Sequence, residues 1–155
     1  MKKIGLLFIC LIVTYLIGTI GGIFADPGMQ SSWYQEVKPE ITPPNITFPI
    51  VWNVLFLLIG VSLWLVLRKA DKHERRNALL AFEVNFAANI LWSVFYFGMH
   101  NTLFAFIDSL VILISIIWMM AAAFKIDERA SWLLVPYLLW VCFATVLTYM
   151  SWLKV

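Results

Sequence analysis

The sequence has few charged residues for its length. Asp, Glu, Lys and Arg together make up 13% of the 155 residues, whereas soluble domains contain about 25%. Hydrophobic residues make up 63%, and the mean hydropathy is +0.89. A water-soluble fold of this size has too little interior to bury so much apolar surface. The composition therefore excludes an ordinary soluble domain and indicates an integral membrane protein.

The residues that several chemistries require are also scarce. The two cysteines, Cys10 and Cys142, lie within hydrophobic stretches, where small apolar packing residues are expected rather than a disulfide or a metal site. The two histidines, His73 and His100, lie in predicted connectors, so a haem or histidine-based metal site within the membrane lacks its ligands. The net charge of +2 is too small for a nucleic-acid partner. We predict no metal site and no bound cofactor.

Five hydrophobic stretches are long enough to cross a bilayer. At about 1.5 Å of rise per residue, about 20 helical residues cross a hydrocarbon core of about 30 Å. The stretches are too continuous for the strands of a membrane barrel, which alternate over about 10 residues. The sequence therefore predicts a single all-α membrane domain over residues 1–155, a bundle of five transmembrane helices. The predicted spans are 4–24, 49–67, 77–97, 102–124 and 131–153.

Lys and Arg are distributed unequally between the two ends of these spans. Nine of them fall on the side of the N-terminus and two on the opposite side. Cytoplasmic loops carry the excess of Lys and Arg. We therefore predict a cytoplasmic N-terminus, with the first loop and the C-terminus on the other side. The nine are Lys2, Lys3, Arg68, Lys69, Lys72, Arg75, Arg76, Lys125 and Arg129, and the two are Lys38 and Lys154.

The first connector, residues 25–48, is long and rich in proline. It contains Pro27, Pro39, Pro43 and Pro44. Proline fixes φ and removes a hydrogen-bond donor, so this connector is expected to be stiff and irregular. It also carries aromatic residues, which a loop in water rarely does. We favour a lid folded over the outer end of the bundle; the alternative is that its aromatic residues lie in the membrane interface.

Polar side chains inside the predicted spans are candidates for a functional site, because buried polar groups are unfavourable in lipid. Asn85 and Asn89 lie one turn apart on one face of the third span. By the helical rise, Asn89 and Asp108 lie at similar depths, about 10–12 Å from the outer boundary. Glu83 lies nearer the inner boundary, which disfavours an acid–base pair with Asp108. Asn89 and Asp108 either bond neighbouring helices together or bind a ligand, and both roles stay open.

Two of the eight tryptophans lie where a cavity is expected. Trp52 begins the second span just below the proline-rich connector. Trp140 lies well inside the fifth span, four residues after Pro136, which we expect to kink that helix. Together with Asn89 and Asp108, these indoles indicate a cavity in the outer half of the bundle that suits a flat apolar ligand. The alternative for Trp140 is a core packing role.

Gly18 and Gly22 lie one turn apart in the first span. Small residues at this spacing allow another backbone to approach closely. The approaching backbone belongs either to this chain or to a second copy, so a homodimer through the Gly18/Gly22 face is one of two predictions.

Short motifs occur along nearly the whole chain. They are Trp33-Tyr34, Lys38-Pro39, Pro43-Pro44, Trp52 with Leu55-Phe56, Asn85 and Asn89 followed by Leu91-Trp92-Ser93 and Phe97-Gly98, and Pro136-Tyr137-Leu138-Leu139-Trp140 leading into Phe143-Ala144-Thr145. As a set, they resemble the TspO/MBR family of tryptophan-rich sensory proteins, relatives of the mitochondrial translocator protein or peripheral benzodiazepine receptor.

The resemblance implies a five-helix fold, often dimeric, whose first loop closes a cavity for porphyrins such as protoporphyrin IX, sterols and benzodiazepine-type ligands. It implies a receptor with a sensory or tetrapyrrole-regulating role. The alternatives are light- and oxygen-dependent porphyrin degradation, with Trp52 and Trp140 as the reacting side chains, and a carrier of porphyrin or cholesterol. By matching position, the ligand-binding residues are Tyr34, Pro44, Trp52, Phe56, Asn85, Asn89, Asp108, Trp140, Ala144 and Leu147.

The sequence departs from the family pattern at two positions. Ile41 stands where the loop motif usually has Trp, and Phe56 stands where Tyr is usual. The first change is expected to weaken closure of the lid, and the second removes a hydroxyl from the cavity wall.

Overall fold

A computed structural model of the chain describes residues 2–155, with side chains from residue 4 onward, so the side chains of Lys2 and Lys3 lie outside the described part. Within this range the regular structure is entirely helical. The helices are α1 (Lys2–Gly28), α2 (Ser32–Val37), α3 (Thr47–Lys69), α4 (Lys72–Ser93, continued by a π-helical turn over Val94–Gly98), α5 (Thr102–Ile126), α6 (Glu128–Trp132) and α7 (Val135–Leu153).

Five helical stretches are long and apolar enough to cross a membrane. They are Ile4–Gly28, Thr47–Lys69, Lys72–Gly98, Thr102–Ile126 and Glu128–Leu153. This confirms the predicted all-α membrane protein with five spans. Its orientation across the membrane stays a prediction.

The first connector is shorter and more regular than predicted. Helix α1 continues through Pro27 to Gly28, and α2 then occupies six residues of the connector. The Ser31 hydroxyl starts α2 by accepting a hydrogen bond from the backbone N–H of Tyr34 at 3.2 Å, as an N-cap serine does. The irregular parts of the connector are therefore residues 29–31 and 38–46, and three of the four prolines lie in the second of these.

The predicted kink at Pro136 is a helix start instead. The fifth span consists of α6 and α7, which are separated at Leu133 and Leu134, and Pro136 lies in the first turn of α7. A proline in a first turn removes a donor that has no partner within the helix anyway. The helical span is therefore interrupted before Pro136 and not at it.

The long helices form a closed ring. Helix α1 packs against α3 and α4, α4 packs against α5, and α5 packs against α6 and α7. Helix α3 completes the ring, mainly through α6 and only slightly through α7. The core includes the buried side chains of Ile59, Phe82, Ile116, Met119 and Tyr137. The backbones of α3 and α7 approach each other at few positions, and large side chains bridge the gap. The ring is open inside at the end where α1 connects to α3, here called the connector end.

The outer surface is apolar. Large side chains of α1 such as Ile4, Phe8 and Ile12 are about 60% exposed, at 62%, 60% and 58%. Exposed apolar side chains in this number are unfavourable in water but suit contact with lipid tails. The chain is an integral multi-pass membrane protein.

An ion pair joins α3 to the junction of α5 and α6 at the opposite end of the bundle, here called the basic end. Lys69 Nζ at the end of α3 lies 2.7 Å from Asp127 Oδ2, between α5 and α6. The other carboxylate oxygen, Oδ1, accepts a hydrogen bond from the backbone N–H of Arg129 at 3.2 Å and thereby caps α6. The hydrogen bond from Lys69 lowers the pKa of the Asp127 carboxyl, because it favours the charged form.

We expect Asp127→Asn to lower the free energy of unfolding at neutral pH by about 1 kcal/mol, a modest value because the Lys69 side chain is 38% exposed. The folded pKa lies below the unfolded value of about 3.9. The stabilisation is therefore complete above that value and is lost as the pH falls through the folded pKa. Thermal unfolding in detergent at neutral and acidic pH measures it. Lys69→Gln in the Asp127→Asn background should cause little further loss of stability, because the ion pair is already broken. Equal stability of Asp127→Asn and wild type at neutral pH would show that the ion pair does not stabilise the fold.

Candidate functional site

A cavity of about 500 Å³ lies inside the bundle at the connector end. Helices α1, α3, α4, α5 and α7 form its walls, and the first connector covers it. Its walls are mainly apolar and aromatic, with a few hydroxyl and amide groups. Both the volume and the lining are typical of small-molecule sites, which measure about 300–1,000 Å³.

Seven of the ten predicted ligand-binding residues line this cavity, and their role in binding stays a prediction. They are Tyr34, Trp52, Phe56, Asn89, Trp140, Ala144 and Leu147.

The other three predicted residues lie outside the cavity lining. Pro44 is exposed, and the connector places Pro39 and Thr42 against the cavity instead. Asn85 is fully buried one turn behind the wall, and Asp108 is buried beside Ser109, which does line the cavity. Successive residues of a helix point about 100° apart, so a neighbour of the correct residue faces elsewhere.

Asn89 and Asp108 do not bond to each other, although their predicted depths agree. Asn89 Nδ2 donates to the Tyr137 hydroxyl and to the backbone carbonyl of Asn85 at 3.1 Å. Within residues 4–155, Asp108 Oδ2 has no hydrogen-bond partner. Depth follows from the helical rise, whereas the direction of each side chain follows from how the helices are rotated against each other.

A hydrogen-bond network underlies the cavity and joins three helices. The Tyr137 hydroxyl on α7 donates to Asn85 Oδ1 on α4 at 2.9 Å. Asn85 Nδ2 donates to Ser115 Oγ on α5, also at 2.9 Å. Asn85 therefore bonds helices together, and Asn89 both joins this network and faces the cavity. We did not predict Tyr137 as the central partner; its only signal is its position one turn before Trp140.

The two predicted tryptophans lie on two neighbouring walls of the cavity, formed by α3 and α7. The Trp52 ring stacks on Phe56 with 5.3 Å between centroids and meets the Tyr137 ring edge-on at 6.1 Å. The Trp140 ring meets Phe48, at the start of α3, edge-on at 5.8 Å. Ring packing therefore holds both indoles in place while both line the cavity.

Aromatic contacts hold the connector on the bundle. Tyr34 is buried, and its ring lies 6.4 Å from Tyr96 and 5.6 Å from Phe97, in the π-helical turn that ends α4. Trp33 stacks on His100 with 4.2 Å between ring centroids. Burial raises the pKa of the Tyr34 hydroxyl, since it disfavours the charged form.

Polar contacts complete the attachment of the connector. Lys154 Nζ, after α7, donates to the Lys38 carbonyl at 2.7 Å, and Asn45 Nδ2 donates to the Met29 carbonyl at 3.2 Å. Ile41 is 54% exposed and does not line the cavity. The departure at this position therefore changes the outer surface of the connector.

Two hydroxyls on the cavity wall have no partner among the described residues, namely Thr42 Oγ1 and Thr145 Oγ1. Other hydroxyls on the wall are bonded: Thr148 donates to the Ala144 carbonyl at 2.9 Å, and Ser151 and Tyr96 bond each other at 2.8 Å. A buried polar group without a partner costs about 1–3 kcal/mol. Both threonines line the cavity, but the two hydroxyl oxygens themselves are buried beneath its surface. Neither threonine is among the predicted ligand-binding residues.

The Gly18/Gly22 face is turned inward. Both glycines line the cavity, and a Cβ added at Gly18 would lie 2.2 Å from Phe56 Cε2. The close approach expected at Gly18 is therefore made within the chain, to α3. Phe56 of the same chain lies against Gly18, and a homodimer through the Gly18/Gly22 face stays a prediction.

The fold and the site define a class: a multi-pass helical membrane protein with a ligand-sized, mainly apolar cavity. No group of three or more His, Cys, Asp or Glu placed to hold a metal ion is found within residues 4–155. Residues 8–153 match the TspO/MBR family, and the chain belongs to that family.

Curated relatives agree over most of their length. The chain is 35% identical to the Tryptophan-rich protein TspO of Chlorobaculum tepidum, over 96% of this chain and 94% of the relative. It is 32% identical to the Tryptophan-rich sensory protein of Cereibacter sphaeroides, over 76% and 73%. It is 28% identical to the Translocator protein of Homo sapiens, over 77% and 73%. The family resemblance seen in the sequence motifs is confirmed.

We expect Tyr137→Phe to lower the free energy of unfolding by about 1–3 kcal/mol, because it removes a hydrogen-bond donor from the buried amide oxygen of Asn85 and an acceptor from the partly buried amide of Asn89. Ligand affinity should change little, since Tyr137 does not line the cavity. Tyr149→Phe, on the same helix but 41% exposed, is the matched control. Denaturant unfolding measures the effect, and equal losses in both variants would contradict a central role for the network.

Proposed function

We propose that the protein is a membrane receptor that binds porphyrins and other flat apolar molecules, such as sterols or benzodiazepine-type compounds, in this cavity. The observation that carries the proposal is the placement of Trp52 and Trp140 on two walls of one ligand-sized cavity. Each indole offers an apolar ring to a planar ligand. The hydroxyls of Thr42 and Thr145 have no partner among the described residues, and after rotation of these side chains they would bond polar groups at the edge of such a ligand.

The proposed role is sensory or tetrapyrrole-regulating. It is supported by the relatives, one of which bears the name tryptophan-rich sensory protein and another translocator protein. Oxidisable indoles on the wall also suit a second role, the light- and oxygen-dependent degradation of porphyrin. A carrier of porphyrin or cholesterol would use the same stacking surfaces.

Absorbance spectra of the purified protein with protoporphyrin IX, recorded in light and in darkness, separate these roles. A receptor shifts the porphyrin bands and leaves them stable in both conditions. A degrading enzyme removes the bands in light faster than they fade in free solution. A carrier moves porphyrin into proteoliposomes beyond the amount that stoichiometric binding accounts for. A spectrum without any shift or loss would contradict the proposed function.

We expect Trp52→Phe and Trp140→Phe each to weaken protoporphyrin IX affinity by up to about tenfold, because an aromatic contact contributes about 0.5–1.5 kcal/mol beyond area burial. If the protein degrades porphyrin, the same changes should abolish the degradation more completely than the binding. Trp132→Phe, at the basic end and 64% exposed, is the control. Titration by fluorescence quenching measures affinity, and melting measures stability. Normal affinity in a stable, folded Trp140→Phe protein would place the site elsewhere.

We also propose that the connector is a lid over the cavity. Its Tyr34, Pro39 and Thr42 line the cavity, and its ends are held by Lys154 and by the aromatic contacts of Trp33. A lid of this kind closes at a small loss of entropy only if its backbone is stiff.

Replacement of both Pro43 and Pro44 by Gly tests the lid. Neither proline lines the cavity, so any effect acts through the flexibility of the backbone. At about 0.4–1 kcal/mol for each replacement, affinity for protoporphyrin IX should fall by roughly 4- to 30-fold. Circular dichroism should show unchanged helicity. Unchanged affinity in the double variant would show that the connector does not act as a lid over the cavity.

A further inference from the structure

The wall of the cavity between α1 and α3 reaches the outer surface of the bundle. Tyr15, Thr19 and Ile23 of α1 and Asn53 of α3 line the cavity, and all four are exposed. Ile23 is 65% exposed although it lines the cavity. Since α1 and α3 both cross the membrane, this seam between them faces lipid.

The two helices are close together at the basic end of the seam. A Cβ added at Gly60 of α3 would lie 3.3 Å from Leu11 Cα and 2.9 Å from Thr14 Oγ1. Thr14 is fully buried in this contact. Backbones approach this closely only where small residues stand.

The space between α1 and α3 is less filled towards the connector end. A Cβ added at Gly22, two turns beyond Thr14, would meet only Asp26 Oδ2 of the same helix, at 3.9 Å. At Gly18, between Thr14 and Gly22, Phe56 still fills the space, since an added Cβ would lie 2.2 Å from Phe56 Cε2. The space between α1 and α3 therefore widens only beyond Gly18, towards the connector, where Gly22 contributes no side chain to fill it.

Tyr15 crosses the seam where it begins to widen. Its hydroxyl donates to the Asn53 carbonyl at 2.9 Å, and its ring lies 6.1 Å from Phe56. The Asn53 side chain is turned along its own helix, where it donates to the Pro49 carbonyl at 2.7 Å. Tyr15 thus joins α1 to α3 beside the cavity through a single neutral hydrogen bond, which contributes little net stability.

We propose that this seam is a lateral portal through which ligands dissolved in the bilayer reach the cavity, with Tyr15 as its latch. The connector covers the axial route, through Tyr34, Pro39 and Thr42, whereas the seam opens to lipid. The ligands it admits are flat apolar molecules that partition into the membrane.

This inference rests on the proposed function, since a portal needs a bound ligand, but a different quantity tests it. A portal sets the rates at which ligand enters and leaves, and it changes both by the same factor. The contacts inside the cavity set the affinity. Protoporphyrin IX is therefore preloaded into lipid vesicles, which are then mixed with the full-length protein in nanodiscs. The rate constants for its binding and release report on the portal.

Tyr15→Phe removes the latch and keeps the ring. We expect it to raise both rate constants by about fivefold, as for the loss of one neutral hydrogen bond, and to leave the dissociation constant nearly unchanged. Thr19→Trp fills the portal and should lower both rate constants by a larger factor than it changes affinity. Ile20→Trp, on the adjacent exposed position that does not line the cavity, is the control and should have wild-type rates.

Stopped-flow quenching of tryptophan fluorescence follows both rate constants. Wild-type rates in Tyr15→Phe and Thr19→Trp, with binding intact, would overturn the portal. Faster exchange in the Pro43 and Pro44 to Gly variant, with no change in Tyr15→Phe, would show that ligand passes under the connector and would also overturn it. Absence of binding in the wild-type protein would instead refute the proposed function. If Thr19→Trp does not fold, Tyr15→Phe alone decides the outcome.

Discussion

The hydrogen-bond network of Asn85, Asn89 and Tyr137 is the interaction on which the site depends. In a bilayer, the lipid tails are as apolar as the helix surfaces, so burial alone does not hold helices together. Close packing and hydrogen bonds between helices must do so. This network joins α4 to α7 and, through Ser115, to α5. It lies directly behind the cavity, and its member Asn89 belongs to both.

The remaining two long helices are held differently. Helix α1 packs against α3 through close contact at Gly60 and Gly18, and one hydrogen bond from Tyr15 crosses between them. Among the described residues, no buried side-chain network comparable to that of α4, α5 and α7 spans this pair. The cavity thus lies between a wall bonded by polar groups and a wall held mainly by packing.

The departures from the family pattern acquire different meanings once each position is located. Ile41 lies on the outer surface of the connector, so the missing indole there changes the surface that the connector presents outward. Phe56 lies on the cavity wall, where it stacks on Trp52 and fills the space left by Gly18. A hydroxyl that is usual at this position in the family is therefore absent from that wall.

Much of this protein follows from the sequence by itself. The number of spans and their approximate limits follow from the lengths of the apolar stretches, because the bilayer sets how many helical residues are needed to cross it. The family motifs located seven residues of the cavity wall. Tyr34 is among them through its match to the family motif alone, whereas Trp52 and Trp140 were also indicated by their positions within the spans.

Only the tertiary structure decided which way the other residues face. The helical rise placed Asn89 and Asp108 at one depth, but their directions depend on how α4 and α5 are rotated against each other. Asn89 consequently bonds Tyr137, and Asp108 lies behind the wall. Likewise, the spacing of Gly18 and Gly22 showed that a backbone or side chain approaches there, while the packing of α1 on α3 decided that it is Phe56 of the same chain. The local sequence pattern determines which residues share one face of a helix. Contacts between residues far apart in sequence determine what that helix face packs against.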